Sequence, residues 1–173
     1  MAKSDWKSFS EGTVSHSAAH YLMAIHMLRK GSGYARATDI ARQLAVSPPS
    51  VTVALDRLKG KGLVFEDENH FYILSDLGEQ TVGSILAHRR VLQRFFCEVL
   101  GVTPETAEAD ACKIEHLISL ETGRKLIQCL NHLTADEDLQ VALKRFRMAS
   151  EHVSCAYPEG CSICESACVL ASP

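Results

Sequence analysis

The sequence predicts a mainly α-helical protein with a single β-hairpin before its midpoint. Apolar residues recur at three- and four-residue intervals along most of the chain, the period of amphipathic helices. Only residues 63–74 break that period, with two short β-prone runs around a polar turn. Charge is also unevenly placed. Residues 1–61 carry nine Lys/Arg against four Asp/Glu, and residues 62–173 carry nine against seventeen. A basic front and an acidic back point to a polyanionic partner for the first part alone, which the net charge of −3 conceals.

At 173 residues the chain can hold one moderate domain or two small ones sharing a core. Its 46% hydrophobic and 23% charged content is that of an ordinary globular protein. No apolar run approaches the ~18–20 residues needed to span a bilayer. Residues 1–7 lack the apolar core of a signal peptide. A cytoplasmic protein with no membrane partner is expected.

The elements follow in order. Residues 1–14 are polar and aperiodic and read as an arm. Ser15 reads as the N-cap of a first helix, with an apolar stripe of Ala18, Tyr21, Leu22, Ile25 and Leu28 that Gly31-Ser32-Gly33 ends. Residues 38–44 make a short second helix, broken at Ala45-Val46-Ser47. Pro48 and Pro49 open a third, since proline in a first turn costs no hydrogen bond. It runs through Val51, Leu55 and Leu58 to Gly60 or Gly62. Residues 63–66 and 71–74 are strands joined by Asp67-Glu68-Asn69-His70. Ser75 with Glu79 resembles a capping box at the head of a long fourth helix, which lasts to Leu100-Gly101. Thr103-Pro104 caps a fifth helix, Ser119 starts a sixth, and residues 135–149 form a more charged seventh. The resulting division is 1–75, 76–150 and a Cys-rich tail, 151–173.

Helix, short helix, tight break, helix, hairpin is the order of a winged helix-turn-helix, which places its later helix in the major groove of double-stranded DNA. Ser47, Pro49, Ser50 and Thr52 stand near the start of that helix, where short polar side chains can meet base edges. Arg57 and Lys59 further along, with Arg36 ahead of the second helix, suit phosphates. The acidic hairpin tip makes the wing a weak contact. An ordinary helical hairpin is the plainer alternative, and the charge asymmetry argues against it.

The second half carries its chemistry in Asp110-Ala111-Cys112-Lys113-Ile114-Glu115-His116. On a helix, Cys112, Glu115 and His116 share one face. A thiolate, a carboxylate and an imidazole make a partial cage for a transition metal, with a fourth ligand still to find. His16, one turn before His20, could be an alternate ligand but reads rather as an exposed helix histidine, His26 as a satisfied, partly packed one, and Cys97 and Cys129 as core. Cys112 with His116 could also serve as a nucleophile pair, but no oxyanion element or substrate motif accompanies them, and the chain reads as a non-enzyme. In the tail, Cys155, Cys161, Cys164 and Cys168 are candidates for a second zinc site or an iron–sulfur cluster, against a plain reduced tail.

In order and spacing, Tyr34-Ala35-Arg36-Ala37-Thr38-Asp39-Ile40-Ala41, the helix-turn-helix at 44–52 and Cys112-Lys113-Ile114-Glu115-His116 resemble one family. It is the diphtheria-toxin-repressor/manganese-transport-regulator family of metal-dependent transcriptional repressors, matched over about residues 15–133. The resemblance implies an N-terminal winged helix and an all-helical dimerisation domain. It also implies a homodimer on operator DNA, with metal bound between the two domains. His20, before Tyr21-Leu22, stands where the family has methionine or aspartate, so the implied ligands are His20, Cys112, Glu115 and His116. A second site of many members falls on Arg89, Gln93 and Glu108, with His88 displaced by one position. Met23 replaces a glutamate of the manganese-type members. Two imidazoles, a thiolate and a carboxylate suit Fe(II), Zn(II) or Co(II) better than Mn(II). The expectation is an Fe(II)-responsive repressor of metal-uptake or homeostasis genes, with Zn(II) or Mn(II) as the alternative ion and sensing through a tail iron–sulfur cluster as the alternative mechanism.

Overall fold

A computed structural model describes residues 14–150; the tail cysteines lie outside the described residues. Seven α-helices and one two-stranded antiparallel sheet make up that span. The first three are α1 (His16–Ser32), α2 (Ala37–Leu44) and α3 (Pro48–Gly60). The hairpin β1 (Val64–Glu66) and β2 (Tyr72–Leu74) follows, with Val64 opposite Leu74. Then come α4 (Asp76–Arg94), a π-helical extension (Phe95–Leu100), α5 (Pro104–Ile114), α6 (Leu120–Ala135) and α7 (Glu137–Ser150). Among the described residues no helix is long and apolar enough to cross a membrane.

Local chemistry sets these boundaries. The hydroxyls of Ser15, Ser47, Ser75, Thr103 and Ser119 each accept from a backbone N–H in the first turn they precede. Side-chain caps of this kind satisfy donors that a helix start otherwise leaves open. Pro48 and Pro104 open α3 and α5, where the missing N–H is no loss. Ser75 caps α4 as expected, but Glu79 does not return to it. Its carboxylate lies 3.1 Å from His26 Nδ1, tying α4 to α1. Ala45 turns the corner between α2 and α3 at φ 53°, a left-handed conformation that costs a non-glycine residue roughly 1–2 kcal/mol.

The principal core joins the first three helices, the hairpin and the front of α4. Leu22, Ile25, Ile40, Val51, Leu55 and Val82 are fully buried there. The sheet is stitched in by a hydrogen bond from the Tyr72 N–H to the Ala35 carbonyl at 2.8 Å. Gly78 presses so closely on the Leu63 carbonyl that a Cβ would collide with it. These elements form the three-helix-plus-hairpin winged helix, and the rest is helical. Behind it, Ala107 and Ala111 are wholly buried, and their small side chains let α5 lie close against its neighbours. Two assignments need correction: Cys129 faces outward, and Cys97 is only half-buried. Their apolar neighbours in sequence do not form a closed layer within one copy of the chain.

Candidate metal centre and nucleic-acid interface

The metal candidates meet where α1, from the first half, crosses the end of α5, from the second. His20 Nε2 lies 3.4 Å from Cys112 Sγ, across 92 positions of sequence. His16, one turn before His20, joins them with its Nε2 3.2 Å from His20 Nε2. The donor atoms of His16, His20 and Cys112 all fall within 4.8 Å of one another. His16 is exposed, as the sequence predicts, yet its ring nitrogen meets His20; its four-residue spacing from His20 is the spacing that also relates Cys112 to His116.

Glu115 and His116 sit just beyond α5, in the turn that follows Ile114. Glu115 is fully buried, and Arg89 on α4 holds its carboxylate with both arms. Arg89 Nε donates to Oε2 at 2.5 Å and Nη2 donates to Oε1 at 2.9 Å. The same Nη2 lies 3.5 Å from Cys112 Sγ. That bond to Glu115 holds the Arg89 guanidinium above its ordinary range. The His116 ring lies 5.2 Å from that of His16, and its Nδ1 is buried with no hydrogen-bond partner among the described residues. His88, the displaced histidine, is not at this cluster. It is buried, its Nδ1 is 3.0 Å from the Glu115 carbonyl, and its ring packs on Gly123, where a Cβ would overlap it. Gln93 and Glu108, the other departures from the family pattern, are hydrogen-bonded to each other.

These residues fit a metal ion. Burial chiefly, aided by His16, holds His20 and His116 below the ordinary histidine range, so both imidazoles are neutral with lone pairs free near neutral pH. A tetrahedral ion with bonds of about 2.05 Å to nitrogen and 2.3 Å to sulfur would set neighbouring donors roughly 3.3 Å (N···N) and 3.6 Å (N···S) apart. The observed 3.2 and 3.4 Å come close to that. The orphaned Nδ1 of His116 beside the cluster is the kind of buried polar atom that a ligand satisfies.

Arg36, just before α2, and Ser47, Pro49, Ser50, Thr52 and Arg57, at the start of α3 or along it, are all exposed. The Arg36 guanidinium stacks near the rings of Tyr34 and Phe71, at 5.5 and 5.1 Å, which pre-orients it. Ser47 and Ser50 share a hydroxyl–hydroxyl hydrogen bond of 2.8 Å. Lys59 differs from the expectation of a phosphate contact. Its ammonium is 3.0 Å from both Asp56 and Glu66, and these bonds raise it above the ordinary lysine range. The proximity of β1 to α3, invisible in the sequence order, supplies that pairing.

Two family models match this chain. Residues 13–69 match the iron dependent repressor N-terminal DNA binding domain, and residues 75–141 match the iron dependent repressor metal binding and dimerisation domain. The chain belongs to this family of metal-dependent transcriptional repressors. It is 30% identical over 132 residues to the HTH-type transcriptional regulator MntR of Bacillus subtilis (strain 168), covering 76% of this chain and 92% of that one. Against the MntR of Geobacillus thermodenitrificans the identity is 31% over the same shares. Among solved structures, ScaR with bound Cd2+ superposes with a TM-score of 0.58 at 30% identity, over 66% of this chain and 53% of that one. The hypothetical protein SSo2273 from Sulfolobus solfataricus, at 24% identity, shares the fold with the same score over 68% and 89%.

Proposed function

We propose that this protein is a homodimeric, Fe(II)-responsive repressor that binds operator DNA through α3 and controls genes of metal uptake or homeostasis. One observation carries the reading: His20 on the DNA-binding half faces Cys112 on the helical half at 3.4 Å. An ion held by His20, by Cys112 at the end of α5 and by the turn bearing Glu115 and His116 would supply a positive charge and directional bonds common to both halves. His20 belongs to the helix whose Leu22 and Ile25 pack in one core with Val51 and Leu55 of α3. Fixing His20 against Cys112 therefore fixes α3 against the helical half. A symmetric pair so fixed presents two recognition helices at the spacing of successive major grooves, with Ser50, Thr52 and Arg57 outward. Coupling of this kind between a metal site and a DNA surface is typically 1–3 kcal/mol, or roughly 5- to 150-fold in affinity.

Imidazole and thiolate donors favour Fe(II), Zn(II) or Co(II) over the harder Mn(II). Relatives named as manganese regulators, such as SloR, favour a second reading with Mn(II); the donor set argues against it. Anaerobic metal analysis of protein from its native host, with DNA selected from random sequence as probe, tests the proposal. Iron should co-purify, and DNA affinity should rise at least about tenfold with Fe(II). That rise should vanish in His20→Ala. Tight DNA binding unaffected by any metal, in wild type and variant alike, would sink it.

A further inference from the structure

We propose that His16 is a ligand of this metal site and that Glu115 is withheld from it by Arg89. The inference rests on the metal-site reading above and changes its membership. Glu115 is wholly buried, and each of its carboxylate oxygens already accepts from the Arg89 guanidinium. A carboxylate in a two-armed bond with arginine is satisfied in both geometry and charge. To turn it toward an ion would leave the guanidinium facing a buried site without its partner, a costly exchange. His16 has no such commitment. Its Nε2 faces His20 Nε2 at 3.2 Å, an arrangement in which at most one of the two nitrogens can carry the hydrogen. Two imidazole nitrogens and a thiolate converge within 4.8 Å, and the buried Nδ1 of His116, with no partner, lies beside them.

Arg89 is then a positioning residue. It fixes the turn at Glu115, and its Nη2 lies 3.5 Å from Cys112 Sγ. The consequence is a site whose trio of protein donors is nitrogen and sulfur with no carboxylate, selective for borderline ions over hard ones.

The test is Co(II) titration of the metal-free, full-length protein. The thiolate-to-cobalt charge-transfer band and the visible bands report both affinity and ligand set. His16→Ala and His20→Ala should each lower Co(II) affinity by more than about 100-fold, beyond the roughly 10- to 100-fold cost of losing an outer partner of a ligand. Glu115→Gln should lower it by less than about tenfold and leave the spectrum unchanged. The neutral pair Arg89→Met with Glu115→Gln, which removes both charges at once, should cost no more than the roughly 10- to 100-fold of a lost outer partner, leave the spectrum unchanged, and guard against misfolding of the single variant. Two results would overturn the proposal. One is a His16→Ala protein that binds Co(II) within tenfold of wild type; the other is a Glu115 variant as damaged as His20→Ala, with an altered spectrum. If instead His20→Ala and Cys112→Ser bind Co(II) normally, the metal site itself is misplaced, and the function proposed above falls with it.

Discussion

The two halves of the described chain bury their apolar residues very differently. In the first half, Leu22, Ile25, Ile40, Val51 and Leu55 are sealed in one core. In the second, Leu100, Leu117, Leu120, Ile127, Val141, Phe146 and Met148 are exposed, and no residue of α7 with a described side chain is buried. A domain core that closes on itself can be stable alone, whereas exposed apolar residues in such number on the outer helices suit an interface. The matched dimerisation domain, residues 75–141, spans α4 to α6 and the start of α7. The DNA-binding half therefore reads as complete in one copy, and the helical half as one side of a larger core. The donor cluster of His16, His20 and Cys112 lies where the two halves meet.

That contrast can be broken or sharpened by experiment. The largest effect should come from Leu120→Glu with Ile127→Glu, two exposed residues on one face of α6, seven positions apart. The pair should convert a dimer to a monomer in sedimentation while leaving the far-ultraviolet spectrum of the winged helix intact. Persistence of the dimer would place the interface elsewhere. Leu55→Ala, in the closed core, should cost about 3 kcal/mol of stability, read as a lower denaturation midpoint in monomer and dimer alike. Gly123→Ala drives a methyl into the His88 ring and should cost about 2 kcal/mol, since His88 is also bonded to the Glu115 carbonyl. No change in midpoint would mean that α6 is free to back away.

The smallest effect belongs to the wing. Hydrogen bonds from His70 first, and then from Lys59, hold the Glu66 carboxyl below its ordinary range. A carboxylate with a lowered folded pKa adds stability above its unfolded pKa and loses it as pH falls through the folded one. Glu66→Gln should therefore be less stable than wild type by roughly 0.5 kcal/mol at neutral pH, a gap that closes in acid below the carboxylate range. A gap that persists there would mean that packing, not charge, is what Glu66 contributes.

Much of this was legible in the chain. Hydroxyl caps, first-turn prolines and the change of period at residues 63–74 located five of the seven described helix starts and the hairpin, because those signals act over a few residues. The spacing of Cys112, Glu115 and His116 marked one side of the candidate site, and the family resemblance pointed to His20 on the other. The charge asymmetry marked the half that matches a DNA-binding domain. What no spacing revealed was commitment: that Arg89 claims Glu115, that Glu66 and Asp56 claim Lys59, that Glu79 turns to His26 and not back to Ser75, and that His88 packs on Gly123. Except for Asp56 with Lys59, three positions apart on α3, each of these pairs joins residues brought together by separate elements. Periodicity determined which faces exist. Only the tertiary structure decided which side chains on those faces are already satisfied and which remain open to an ion, because partners across a helix crossing are chosen by distance in space.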